Sequence, residues 1–313
     1  MTKASILLTG GAGYIGSILT PQLLNEGFSV TVIDNLMYRQ DSLMQCCENK
    51  NFTFVKSDVA NEDLLKQLLP SHDIIIPLAA IVGAPACKML PAISNLVNYD
   101  AVKIIIKHLK PHHKVLFPNT NSGYGIGQNE AFCTEESPLN PISLYGRQKV
   151  EIEKELLETK QAICFRLATV FGLSPRMRLD LLVNDFTFRA CRDRFIILFE
   201  EHFKRNFIHV KDVAQAFLFG INHFEKMKGE AYNLGLSSAN ISKLELCLLI
   251  KKFIPDFYIH CASVGEDPDK RNYQVSNKKI EALGFKLKHD LNEGIEEIIR
   301  AYPILMHNNY NNL

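Results

Sequence analysis

Short unbroken apolar runs alternate with stretches of helical spacing through the first half of the chain. Ile6 to Thr9, Phe28 to Ile33, Phe52 to Lys56, Asp73 to Ile76, Lys114 to Phe117 and Ala162 to Leu167 are the runs. Runs without polar alternation are expected where a parallel sheet is covered on both faces. Between the first two, apolar residues at 15, 18, 19, 23 and 24 predict a helix over Ser17 to Glu26. Helices are also predicted over Asn61 to Leu69, Asn95 to Lys110 and Ser143 to Thr159. The alternation predicts an α/β fold, a Rossmann-type doubly wound parallel sheet whose ligands lie beyond the carboxyl ends of its strands.

Glycines at 10, 13 and 16 stand where the first strand meets the first helix. They leave no Cβ where the backbone must bend, approach a ligand and pack on a helix. The helix then points free N–H groups and the positive end of its dipole at a bound diphosphate. Asp34 ends the second strand, 18 residues past Gly16, where an acid suits a ribose 2′-hydroxyl and repels a 2′-phosphate. Asn35 and Leu36 follow without an arginine, so NAD is expected rather than NADP.

Past residue 172 the pattern loses its regularity. Residues 1–172 are read as an NAD-binding Rossmann domain and 173–307 mainly as a smaller substrate-binding lobe. Val213 to Phe224 is a predicted helix returning to the main sheet, and 308–313 a frayed polar tail. The 313 residues carry a net charge of +1 with acids and bases interspersed, so no nucleic-acid surface is indicated. The eight cysteines lack metal-ligand spacing and are read as reduced thiols of a cytoplasmic protein. No metal is expected, no signal peptide is recognised, and Ile74 to Cys87 is too short and too broken to span a membrane.

Tyr145 and Lys149 are four apart near the start of a predicted helix, so they share a face. A lysine ammonium and an oxidised nicotinamide both favour the phenolate. Bringing a tyrosine from a pKa near 10 to about 7 takes roughly 4 kcal/mol. The phenolate would take a proton from a substrate hydroxyl while hydride leaves.

Together, Thr9 to Gly16 and Tyr145-x3-Lys149 resemble the extended short-chain dehydrogenase/reductase superfamily, the NAD-dependent epimerases and dehydratases of nucleotide sugars. The likeness covers nearly the whole chain. It implies cofactor contacts from Gly10, Gly13, Tyr14, Ile15, Gly16, Asp34, Asn35, Leu36, Asp58, Val59, Leu78, Ala79, Ala80, Asn98, Tyr145 and Lys149. Pro77 stands where the family usually has histidine. The resemblance makes Thr120 the third catalytic member, holding the reacting hydroxyl against the Tyr145 oxygen. It assigns the substrate diphosphate to Arg205 and Arg271. Arg176, Arg178 and Asn184 are further substrate-pocket candidates.

Family dehydratases carry Asp and Glu after that threonine to eliminate water. Asn121 and Ser122 stand there, and neither is a strong acid or base near neutral pH. Oxidation of a sugar hydroxyl remains, with or without return of the hydride to the opposite face. Residues 118–127, 165–172 with 174–184, and 265–271 resemble one branch more closely, dehydrogenases acting at C4 of GDP-D-glycero-α-D-manno-heptose in capsule biosynthesis. That implies a GDP-linked substrate. The rival readings are a 4-epimerase and a non-catalytic NAD-sensing protein. The resemblance also implies a homodimer or dimer of dimers through the helices Asn95–Lys110 and Ser143–Thr159.

Overall fold

The computed structural model describes residues 3–127, 131–265 and 271–306. Seven parallel strands form the main sheet, in the order Glu230–Leu234, Ala162–Leu167, Lys114–Thr120, Ile74–Pro77, Ser5–Thr9, Ser29–Asp34, Phe52–Lys56. Alternation along the central strand divides the core. Ile6 and Leu8 pack on one face with Leu19, Leu23, Val213 and Phe217. Leu7 packs on the other with Ile75, Val102, Ile105, Ile152 and Leu156. Both faces of the central strands are covered, which is why Ile74–Pro77 reads as a continuous apolar run while the edge strand Phe52–Lys56 stays half-buried. The chain leaves Ser5–Thr9 and Ile74–Pro77 toward opposite halves of the sheet, so the crevice opens at their carboxyl ends.

Most predicted elements lie within three residues of their observed bounds. The first helix is Gly16–Asn25 and the fourth long one Leu144–Glu158. Ser143 caps the latter, its hydroxyl accepting from the Gly146 N–H at 3.1 Å. The predicted helix Asn95–Lys110 is composite. It begins earlier, as Pro91–Asn95, passes through a π turn at Leu96–Asp100 and ends as Ala101–Lys107. Such turns carry one extra residue within a helix, and this one contains Asn98.

The strand predicted to stop at Phe117 continues through Pro118 to Thr120. Its pairing with Ile74–Pro77 ends at Val115, and only Ala162–Leu167 follows it to Thr120. The helix Ala84–Met89 was not anticipated. Neither was the strand Glu230–Leu234, which pairs in parallel with Ala162–Leu167. Ahead of that strand, helix Val210–Asn222 lies on the main sheet, with Phe217 and Phe165 rings 5.3 Å apart.

The second lobe has its own core around Phe171, Phe207, Leu246, Ile250, Phe257 and Ile295. Its Lys204–His209 strand pairs with Thr169–Phe171 in parallel and with Asn240–Ser242 antiparallel. The predicted tail 308–313 lies outside the described residues.

A Cβ on Gly16 would sit 2.5 Å from the Gly11 carbonyl oxygen and 2.6 Å from its Cα. Backbone cannot swing aside as a side chain can. Gly16→Ala is therefore expected to destabilise by about 1–3 kcal/mol and to weaken dinucleotide binding. A denaturant midpoint and NADH affinity both unchanged would refute this.

Candidate active site

The carboxyl ends of the central strands surround a cavity of about 1460 Å³, larger than the ~300–1,000 Å³ of a usual single-ligand pocket. Gly10, Gly13, Tyr14, Ile15, Gly16, Asp34, Asn35, Asp58, Val59, Leu78, Ala79 and Ala80 line it. Gly10 (φ +70°) presses against the Ala79 backbone, where a Cβ would meet the Ala79 nitrogen at 2.5 Å. Beside a Cβ on Gly13 only the Gly10 oxygen would lie within 4 Å, at 3.1 Å, so that side of the turn is open to a ligand. Asp34 accepts from the Ala12 N–H at 3.0 Å and the Leu36 N–H at 2.8 Å. Burial pushes its carboxyl up in pKa, while those N–H groups and Arg176 pull it back.

Thr120, Tyr145 and Lys149 line the same cavity. The Lys149 ammonium, almost fully buried, donates to the Pro118 oxygen at 3.0 Å and lies 6.0 Å from the Tyr145 ring centroid. The Thr120 hydroxyl donates to Ser122 Oγ at 2.9 Å and also accepts from the Ser122 N–H at 3.1 Å. Behind Thr120 stands a buried network that the motifs did not reveal. Asn119 Oδ1 accepts from the Thr120 N–H at 2.8 Å, while Asn119 Nδ2 donates to Glu153. Glu153 pairs with Arg166 at 2.7 Å, and Arg166 donates to the Tyr124 hydroxyl at 2.9 Å. Glu153 sits one helical turn past Lys149, a spacing that could have drawn attention to it.

Arg176, Arg178, Arg205 and Arg271 also reach the cavity. Arg271 donates to Ser122 Oγ at 2.5 Å, and Arg205 donates to the Arg271 carbonyl oxygen. Arg178 pairs with Asp180 at 2.5 Å.

Three expected contacts are placed elsewhere. Asn98 is buried behind the wall: its Nδ2 donates to the Ile81 oxygen at 3.0 Å and Gln148 Oε1 at 3.1 Å, and its Oδ1 accepts from the Ile81 N–H at 2.8 Å. It holds the 79–82 loop rather than facing the cavity, because the π turn rotates it inward. Asn184, wholly buried, ties Gly172, Tyr14 and Arg178 together. Leu36 (φ +54°) turns away from the lining and packs against the core. Tyr38, Gln40, Asp185, Lys243 and Tyr273 line the cavity without having been singled out. Tyr38, Gln40 and Tyr273 lie outside helices and strands, while Asp185 and Lys243 open helices Leu182–Arg192 and Lys243–Phe253, which were not anticipated.

A family model described as "NAD dependent epimerase/dehydratase family" matches residues 6–235. The chain belongs to the NAD dependent epimerase/dehydratase family. A UDP-glucose 4-epimerase of Cyamopsis tetragonoloba is 26% identical over 346 aligned positions, covering 96% of this chain and 94% of the relative. Among solved structures, UDP-glucose 4-epimerase from Thermotoga maritima, with UDP-glucose, superposes with a TM-score of 0.82 at 25% identity, covering 96% and 99%. A dTDP-glucose 4,6-dehydratase from Bacillus anthracis, in complex with NAD, gives 0.82 at 22% identity over 96% and 97%. NAD is the cofactor of this family member, and the bare glycine turn and Asp34 fit it. Among the described residues no helix is long and apolar enough to cross a membrane.

The lowered tyrosine expected from the sequence needs both the lysine and an oxidised nicotinamide, and the chain alone does not supply it. Burial pushes the Tyr145 hydroxyl up to about 12, more than Arg178 and Arg271 pull it down. Burial also lowers Lys149 to about 8. Without cofactor the phenol keeps its proton at neutral pH. Between about pH 8 and 10 the folded chain releases the Lys149 proton while the unfolded chain, with an ordinary lysine, retains it. Stability of the cofactor-free protein should rise over that window, and Lys149→Met should flatten the rise. Identical slopes for the two proteins in thermal unfolding would contradict the burial argument.

Proposed function

We propose that this protein is a nucleotide-sugar dehydrogenase. It oxidises C4 of GDP-D-glycero-α-D-manno-heptose to the 4-keto sugar, in the cytoplasm, for capsular heptose biosynthesis. One observation carries the reaction class: the group facing the cavity beside Thr120 is the Ser122 hydroxyl, held by Thr120 and Arg271. Asn121 lies outside the cavity lining and is 1% exposed. The site holds the parts for moving a hydride and a proton, and no carboxylate at the positions where family dehydratases eliminate water.

Gly10, Gly13, Gly16 and Asp34 would hold NAD, which when bound would supply the hydride acceptor and a positive charge. Thr120 Oγ1 holds the sugar hydroxyl. The Tyr145 oxygen, which Arg178 and Arg271 pull toward the phenolate, would take the proton of the sugar hydroxyl. Lys149 adds a buried ammonium anchored by Pro118. Arg205 and Arg271 offer guanidinium forks to the diphosphate. The choice of GDP and heptose rests on the resemblance of residues 118–127, 165–172 with 174–184, and 265–271, of which 266–270 lie outside the described residues.

A 4-epimerase is the second reading. It is supported by the relatives of that name and by a cavity of about 1460 Å³, roomy enough for a keto sugar to turn. Product NMR after incubation with the GDP-heptose separates the two: a 4-keto product is expected, and a C4 epimer would replace our reading. Tyr145→Phe is expected to lower turnover by about 10²–10⁴-fold, and unchanged turnover would end the role assigned to Tyr145.

The protein is proposed to be a homodimer, alone or as half of a dimer of dimers. Most apolar residues of the Pro91–Lys107 segment pack on their own chain. Of the exposed apolar residues at its start, Met89 (67%) is left for a partner, whereas Ile93 and Leu96 line the cavity. Sedimentation velocity at micromolar concentration is expected to give a dimer; a lone monomer peak would exclude it.

A further inference from the structure

The segment leading into the second lobe is fastened to the cofactor cradle. Ser174 Oγ donates to the Tyr14 oxygen at 2.7 Å and lies 2.8 Å from Ser17 Oγ. The Tyr14 hydroxyl donates to the Gly172 oxygen at 2.6 Å, and the Arg176 N–H reaches Ser17 Oγ at 3.4 Å. Ser17 belongs to the first turn of the helix that follows the glycine turn.

Held this way, the two arginines of the segment take different places. Arg178 pairs with Asp180 and is one of the charges acting on Tyr145. Arg176 is not among those charges, although Arg178 also acts on Tyr38 and Asp180 on Arg176. Its guanidinium carbon lies 4.4 Å from the centroid of the Tyr38 ring, it acts electrostatically on Asp34, and its Nη1 donates to the Met177 oxygen. Asp34 ends the second strand and Tyr38 follows it, at the ribose end of the expected dinucleotide.

We propose that Arg176, stacked on Tyr38, is a cofactor-binding residue that closes over the adenosine half of the dinucleotide rather than over the sugar nucleotide. The dinucleotide diphosphate is anionic and Asp34 adds a further negative charge; a guanidinium between them offsets both. A planar cation lying on an aromatic face is pre-organised for that role, which a lysine cannot reproduce. Because Arg176 rides on the segment bonded to Tyr14 and Ser17, the cofactor leaves only when those contacts loosen. Slow NADH release follows from the geometry.

The test uses the full-length protein stripped of cofactor. NADH affinity and dissociation rate are read from nicotinamide fluorescence, and binding of GDP (or of UDP, should the parent bind only that) from calorimetry. Arg176→Ala is expected to weaken NADH by about tenfold or more, the order of a lost hydrogen bond to a charged group. Most of that loss should appear as faster dissociation, with nucleoside diphosphate binding unchanged. Arg176→Lys should recover only part, and Tyr38→Leu should move NADH release the same way without altering any charge. Unchanged melting temperatures separate these effects from misfolding. The proposal is overturned if Arg176→Ala and Tyr38→Leu leave NADH affinity and release as in the parent, or if Arg176→Ala loses the nucleoside diphosphate while NADH binding persists.

Discussion

Two stretches of backbone touch with no side chain between them, and the crevice exists because they do. Gly10 lies on the Ala79 peptide and Gly16 on Gly11, each so close that a single methyl group would meet main-chain atoms at 2.5 Å. That contact brings the ends of the first and fourth strands together at the reversal of strand order. It also leaves the start of the first helix uncovered toward the cavity. Asp34 is then fixed from the same turn through the Ala12 N–H, and Tyr14 reaches across to Gly172. The cofactor site and the attachment of the second lobe depend on one bare turn.

The parts of the molecule under local constraint were legible in the sequence. The Ala162–Leu167 strand was readable to the residue because both its faces are buried. The glycine turn and the Tyr145–Lys149 spacing were equally plain, since backbone space and helix geometry dictate them. What escaped was set by contacts distant in sequence. The Glu230–Leu234 strand is five residues long and shows its meaning only beside Ala162–Leu167. Asn98 was assigned to the cofactor by family resemblance, and the π turn that contains it leaves no trace in hydrophobic spacing. Arg176 and Arg178 looked equivalent as neighbours in sequence, and only Tyr38 and Asp180 show that they face different tasks.

Burial is used in opposite ways a few ångströms apart. Glu153 and Arg166 are both almost wholly buried and paired at 2.7 Å, so each charge is satisfied and the strand end carrying Thr120 is rigidly backed. Lys149 has a carbonyl but no carboxylate partner among its contacts, and Tyr145 is held protonated. The first arrangement specifies geometry. The second keeps two groups away from their solution chemistry until a ligand brings the missing charge.

The seventh strand has a consequence for how the chain comes to exist. Helix Val210–Asn222 covers the central strand and Glu230–Leu234 finishes the sheet, so the nucleotide-binding half has no contiguous amino-terminal version of itself. A ribosome that has made the glycine turn, the acid and the tyrosine–lysine pair has still not made a complete sheet. Most of residues 172–209 must emerge, and find a place outside the sheet, before the closing pieces arrive. That part of the second lobe is an insertion that synthesis has to pass through, and the rest of its core, from Leu246 to Ile295, is made only after the sheet is complete.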